Sequence, residues 1–544
     1  MTTICIFCAK HTKLNVIRNG ITRLCKMKKI RCVCPGLVFH FSLFHHSFTP
    51  MGIRSFFAKP LAAWAHRQTK VWSTKPVETQ QKVFDELIAG AKNTAFGNDH
   101  HFGTIRSHAD FIQQVPIRDY EELKPYFERT ANGEENVLWP GKPLYLAKTS
   151  GTTSGAKYIP ITRDSIPNHI NGAKNALLSY IYETGKASFV DGKLIFLSGS
   201  PVLEKKNGIH VGRLSGISNH FVPAYLRSNQ MPSYETNCIE DWETKVETIV
   251  DETLNESMTL ISGIPSWVQM YFDKIKERTG KPIKDVFPDF SLFVYGGVNF
   301  EPYRAKMEAT IGKKIDSIEL FPASEGFFAY QDTQTEKGML LILDAGIFYE
   351  FVPADEIHNE NPTRLTIGEV ELGKNYALII SNNAGLWGYN LGDMVQFVSK
   401  KPYRVIVSGR VKHFTSAFGE HVIAKEVEYA LNASLAKYGG EVIDFHVAPQ
   451  VNPTQGLPYH EWFISFAKRP ENLQEFAATI DREMQEQNIY YKDLISGNIL
   501  RPAVITEVAE DAFINYARSQ GKLGGQFKLP RLANDRKVAD LLVQ

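Results

Sequence analysis

The sequence predicts an α/β protein: a large N-terminal α/β domain with mixed sheets and covering helices, then a small C-terminal α+β domain. Three observations predict it. Short apolar runs (Leu194-Ile-Phe-Leu, Met258-Thr-Leu-Ile, Leu292-Phe-Val-Tyr) alternate with helical spacing over 266–278 and 303–311. That is the pattern of buried, largely parallel strands joined by helices. Residues 340–352, 368–381 and 394–407 carry denser β patterning. After Gly409-Arg410 a new unit of domain size begins. The expected division is an extension over 1–50, a large domain over 51–408 and a small one over 409–544.

In chain order, the spacing from Met51 to about Asn132 is helical, as in the apolar positions following Val77 and Tyr120. The alternating and β-rich segments come next. The last unit reads helix 424–437, strand 442–447, strand 462–466, helix 473–487 and strand 503–508. No internal repeat or low-complexity tract interrupts it.

Composition narrows the function classes. The 544 residues are 43% hydrophobic and 22% charged, ordinary for a globular protein, with a formal net charge of +2. Residues 1–50 hold eight Lys or Arg and no acid; without them the chain has 53 basic and 59 acidic residues, a net of −6. A mildly acidic body argues against nucleic acid as a partner. No apolar run approaches the roughly eighteen residues of a span, so no membrane partner is expected. Five of six cysteines also lie in 1–50, in a spacing that fits no closed four-ligand zinc pattern. Met51 opens compositionally normal sequence, so residues 1–50 are read as a non-native or disordered extension. With only Cys238 beyond it, the body has no disulfide framework and is expected in the cytoplasm.

The chemistry begins at 148–158, Lys-Thr-Ser-Gly-Thr-Thr-Ser-Gly-Ala-Lys-Tyr, after an apolar strand. Hydroxyls, exposed N–H groups and lysines equip such a loop to hold a polyphosphate. It is not a Walker loop, because Ala156 precedes Lys157 and Tyr158 follows it. Gly296-Gly297 ends a strand and would let a flat ligand approach the backbone, or simply make a tight turn. Phe321, Ser324 and Glu325 offer a ring, a hydroxyl and a carboxylate suited to base, phosphate and Mg²⁺. Asp393, after Tyr389-Asn-Leu-Gly, could accept both ribose hydroxyls, or close a hairpin on its own backbone.

In this order, with Gly409-Arg-Val-Lys-His-Phe-Thr-Ser-Ala-Phe-Gly419 and the ending Gln526-Phe-Lys-Leu-Pro-Arg531, the segments resemble the adenylate-forming superfamily. Within it they are most similar to the Gretchen-Hagen-three family of acyl acid–amido synthetases. The likeness runs from Met51 to the C-terminus.

The resemblance implies an ATP- and Mg²⁺-dependent ligase with a mobile small domain. Ser150, Gly151, Thr152, Thr153, Gly155 and Lys157 would embrace the phosphates. Gly296, Gly297 and Phe321 would form the adenine slot, and Ser324 would touch the α-phosphate. Glu325 would hold Mg²⁺, Asp393 would bind the ribose with Arg410 nearby, and Val411–Lys412 would be the hinge. Lys528 matches the lysine that bridges carboxylate and α-phosphate. The implied substrates are a small carboxylic acid and an amino acid, or CoA in the related acyl-CoA synthetases. A non-catalytic nucleotide-binding module would have lost these charges. The chain departs from the family at Tyr389-Asn390, where Tyr-Arg is usual, and at Ser154, where glycine is usual. No histidine is assigned to deprotonate the amine; His220 is a candidate better read as packing. The acid, the amine and the oligomeric state are not legible.

Overall fold

The computed structural model describes residues 52–543 without 151–155, 222–226, 240, 298–299, 411–413, 416–421, 451–452, 497–499, 522–528 and 534. The expectation for residues 1–50 falls outside the described residues.

Strands β1 (Tyr145–Ser150), β2 (Ala156–Ile161), β3 (Lys193–Phe196), β4 (Glu204–Lys206), β5 (Ile209–Gly212), β6 (Gln230–Met231), β7 (Met258–Ser262) and β8 (Leu292–Gly296) come first. Then come β9 (Asp316–Ala323), β10 (Gly326–Tyr330), β11 (Met339–Leu341), β12 (Ile347–Pro353), β13 (Asn375–Asn382), β14 (Tyr389–Lys400) and β15 (Tyr403–Arg410). They form a four-stranded sheet, β2-β1-β5-β4, and an eleven-stranded sheet, β12-β13-β14-β15-β11-β10-β9-β8-β7-β3-β6.

The large sheet changes character at β9. From β6 through β3, β7 and β8 to β9 every pairing is parallel; from β9 onward every pairing is antiparallel. The three apolar runs are β3, β7 and β8, as the sequence predicts. Parallel strands are buried on both faces, and alternate residues divide between two cores. Ile195, Ile261 and Phe293 face helices Trp242–Thr253, Pro265–Thr279 and Glu301–Ile311. Leu194, Leu260 and Leu292 face helices Ile53–Ser73 and Ile166–Thr184. Helices Pro76–Ala91 and Tyr120–Ala131 cover the antiparallel part through Phe84, Leu87, Leu123 and Phe127.

All three β-rich runs differ from expectation. The run over 340–352 is two strands, β11 and β12, parted at 342–346. The strand expected over 368–381 starts at Asn375, because Gly373 adopts φ +80° and turns the chain. The run over 394–407 is two strands of a hairpin, reversing at Lys401-Pro402. Beyond β15 lie the short strands β16 (Phe414–Thr415) and β17 (Val422–Ile423), then β18 (Glu441–Gln450), β19 (Tyr459–Lys468) and β20 (Val504–Glu507). β18 pairs antiparallel with β19, and β20 lies parallel to β19. Helices Ala424–Tyr438 and Leu473–Gln487 pack on these strands through Val427, Leu431, Phe476 and Ile480. Among the described residues no helix is long and apolar enough to cross a membrane.

Candidate active site

Glu325 sits at the tip of a two-residue turn. β9 and β10 are antiparallel neighbours with Ala323 opposite Gly326, which leaves Ser324 and Glu325 between them. Asn382 of β13 donates to the Glu325 carbonyl at 2.8 Å and accepts the N–H groups of Ala384 and Leu386. The buried Tyr389 hydroxyl donates to Glu325 Oε1 at 3.3 Å. Burial, followed by the Glu325 charge, holds the Tyr389 phenol well above its ordinary range, so it stays a donor.

A second clamp fixes the other side of the hairpin. Asn168 donates to the Phe327 carbonyl at 2.9 Å and accepts the Phe327 N–H at 2.7 Å. Gly172, one turn along the same helix, lets the Phe327 ring approach; a Cβ there would sit 2.3 Å from the ring. The β9–β10 pairing also shifts register between Phe327 and Ala329, an irregularity of the kind that re-aims side chains beside sites.

Lys157 lies in β2, paired with Thr149 of β1. Its Nζ is 5.2 Å from the centre of the Tyr120 ring, whose hydroxyl accepts the Tyr158 N–H at 3.0 Å. Tyr120 stacks on Phe127 at 4.8 Å, and Phe127 meets Tyr389 edge-on at 6.5 Å. A continuous aromatic file therefore joins the cation from the first motif to the carboxylate from the third.

Gly296 is needed for close approach: a Cβ there would lie 2.7 Å from the Leu320 carbonyl oxygen. Gly297 has φ +79°, a left-handed conformation that favours glycine. Phe321 is 6% exposed and packs on Phe328 at 5.1 Å, so it serves as floor. Asp393 is buried in β14 opposite Arg410 of β15. The tight turn before it is closed by Asn390, whose side chain accepts the Gly392 N–H at 2.9 Å.

Lys157, Gly296, Gly297, Phe321, Ser324, Glu325 and Asp393 line one cleft of about 2970 Å³. A drug-sized ligand needs roughly 300–1,000 Å³, so several reactants have room. The cleft lining also includes residues from beyond 424, among them Lys425, Asp444 and Arg531. The structure brings these groups together; it does not bring His220, whose ring bonds the Pro201 carbonyl at 3.0 Å. Gly151, Thr152, Thr153, Gly155, Val411, Lys412 and Lys528 lie outside the described residues, and Ser150 and Arg410 are described as strand residues only.

Sequence reasoning missed His169. It lines the cleft beside Ile170 and Ala173, its Nδ1 is buried without a partner, and burial holds its pKa down to about 4. The ring is thus neutral at pH 7, a hydrogen-bonding group and not a cation. Asn168 and Tyr120 were missed too, because their partners lie 159 and 38 residues away.

Three family models match in order: GH3 family N-terminal domain over 65–221, central domain over 340–409 and C-terminal domain over 425–537. An indole-3-acetic acid-amido synthetase, GH3.3 of Arabidopsis thaliana, is 23% identical over 85% of this chain and 90% of its own length. A jasmonoyl–L-amino acid synthetase, JAR4 of Nicotiana attenuata, is 20% identical over 86% and 92%. Among solved structures, GH3.15 acyl acid amido synthetase superposes with a TM-score of 0.73, at 15% identity over 88% and 95% of the two chains. A 2-hydroxyisobutyryl-CoA ligase in its postadenylation state gives 0.57, at 13% identity over 86% and 91%.

Proposed function

Because the chain belongs to the GH3 family, we propose that it joins a small carboxylic acid to the amine of an amino acid through an acyl-adenylate. The observation that carries this reading is the convergence of Lys157, Glu325 and Asp393, from three distant segments, in one cleft.

A carboxylate is a poor electrophile because its leaving group would be oxide. Attack on the α-phosphorus of ATP replaces that leaving group with AMP and releases pyrophosphate. Two anions must meet, so cations aimed at the developing charge carry the main burden. Lys157 would meet the phosphates from β2, and Lys528 would bridge carboxylate and α-phosphate from the C-terminal segment. Ser150, Gly151, Thr152, Thr153 and Gly155 would supply phosphate contacts, with Ser324 at the α-phosphate. Gly296, Gly297 and Phe321 would bound the adenine, and Asp393 and Arg410 the ribose.

A cleft carboxylate presented on a turn fits Mg²⁺ that arrives with a nucleotide, since that ion keeps waters and phosphate oxygens as its other ligands. The fit is supported by the turn that presents Glu325 and by the Tyr389 hydroxyl that orients its carboxylate. Glu325 would hold the ion, which would offset phosphate charge. The acid's apolar body would lie along Ile170, Ala173 and Leu177, with neutral His169 at its polar end. In the second half-reaction the amine attacks the acyl carbon and AMP leaves. A division near 409 with a hinge at Val411–Lys412 would let the C-terminal part alternate between the two steps. Cys238 is a free thiol, in keeping with a reducing cytoplasmic setting.

The test is acid-dependent exchange of labelled pyrophosphate into ATP across a library of carboxylic acids, followed by mass analysis with mixed amino acids or CoA. Amide products are expected, and Lys528→Ala should lower exchange by about a hundredfold or more while ATP still binds. Thioester products would transfer the chain to the acyl-CoA synthetase reading. No exchange with any acid would revive the non-catalytic one.

A further inference from the structure

The first described helix, Ile53–Ser73, is inside out for a surface helix. The side that packs on the protein is made of small residues: Ser55, Ala62 and Ala65 are buried against the core shared with helix Ile166–Thr184. The large apolar residues are exposed, and three of them, Ile53, Phe57 and Leu61, also line the cleft. Ile53 is 79% exposed, Phe57 65%, Leu61 44%, Trp64 56% and Val71 67%. At about 3.6 residues per turn these five share one stripe along the helix. Phe56, 59% exposed, stands beside it with its ring edge-on to Phe57 at 5.4 Å.

Charge says what such a face is for. Residues 52–77 contain no Asp or Glu, and the helix carries Arg54, Lys59, Arg67 and Lys70. Lys59, Arg67 and Lys70 are exposed along one flank of the stripe, around Phe56; Arg54 stands on the other. Five to six large apolar side chains held in water are costly, at roughly 25 cal/mol per Å², and monomeric proteins rarely keep such a patch without a partner. A protein partner could cover apolar area, but the exposed row of Lys59, Arg67 and Lys70, in a stretch without Asp or Glu, favours an anionic surface; Asp191 meets the helix only at its start, where it accepts the Ser55 N–H. Aromatic and aliphatic residues on one side with Lys and Arg at its margins are the equipment of a helix lying in the plane of a bilayer interface. The helix is too polar to span one.

We propose that helix Ile53–Ser73 docks the protein on the surface of an anionic lipid bilayer, with Ile53, Phe57, Leu61, Trp64 and Val71 among the acyl chains. Lys59, Arg67 and Lys70 then lie at the headgroup level, each attracted by the negative surface potential. The proposal rests on the helix and its charges and not on the adenylation chemistry, although Ile53, Phe57 and Leu61 belong to the cleft lining as well.

The test uses the full chain and sedimentation with phosphatidylcholine vesicles, alone or with about 30 mol % phosphatidylserine, where each basic residue counts for about fivefold in binding. Binding is expected only with phosphatidylserine, weakening as salt rises. Lys59→Gln and Arg67→Gln should each lower it about fivefold, and the pair Phe56→Asp, Trp64→Asp should remove it. Both aromatic sites are exposed, so melting temperature and pyrophosphate exchange should stay as they were. Undiminished binding by the Asp pair, or no binding to either vesicle, overturns the proposal. So does a self-association that the Asp pair abolishes without any vesicle binding, which would make a second copy the occupant.

Discussion

Glu319 of β9 carries a carboxyl pushed up to about 7, first by burial and then by the charges of Glu301 and Glu428. A carboxyl raised in the folded protein costs stability where the unfolded chain has already ionised. The cost grows as pH climbs from the ordinary carboxylate range and is complete above 7. Glu319→Gln is therefore expected to stabilise the protein at pH 8, by up to roughly 3 kcal/mol, and to do little at pH 5. Urea unfolding at the two pH values checks this, and an equal effect at both would refute it. Residues carried by motifs were legible as cleft residues: Lys157, Glu325 and Asp393 bring charge into motifs of recognisable order. Glu319, His169 and Asn168 were not, because burial and partners made elsewhere in the chain give them their character.

At the scale of elements, the β9–β10 hairpin is held from two sides, by Asn382 at the Glu325 carbonyl and by Asn168 at both backbone groups of Phe327. Asn168→Ala strands a buried N–H and a buried C=O, at a cost of roughly 2–4 kcal/mol. The expected outcome is a lower midpoint in urea together with weaker acid-dependent exchange, since Glu325 shares the hairpin. Loss of stability without loss of exchange would separate the clamp from the site. Helices were read well, and the helix over 473–487 matches residue for residue, because apolar spacing and caps are local. Strand ends were read poorly at 368–381 and 394–407, since a turn such as Lys401-Pro402 interrupts an apolar pattern that itself continues.

Across the whole molecule, Arg531 connects two parts of the cleft lining. It pairs with Asp444 of β18, donates to the Phe445 carbonyl at 3.2 Å, and reaches the hydroxyl of Tyr303 on helix Glu301–Ile311. Arg531 follows Lys528 by three residues, so under the proposed role of Lys528 the Tyr303 bond would anchor the chain just beyond it. Tyr303→Phe removes only the hydroxyl, and pyrophosphate exchange should fall about tenfold with little change in the KM for ATP. Transfer from a preformed acyl-adenylate should be spared; equal loss in both half-reactions would count against a positioning role. The parallel half of the large sheet was legible from alternating apolar runs. The sharing of one cleft between residues 120 and 531 was not, since it depends on how distant segments pack. Asn168 and Gly172 grip Phe327 from one side of their helix, while Ile170, Ala173 and Leu177 on another side face the cleft. Those three positions behave like exchangeable jaws on a fixed vice. If the acid lies along them as proposed, lineages or laboratory libraries that vary them would explore new acids while the Glu325 turn keeps its aim.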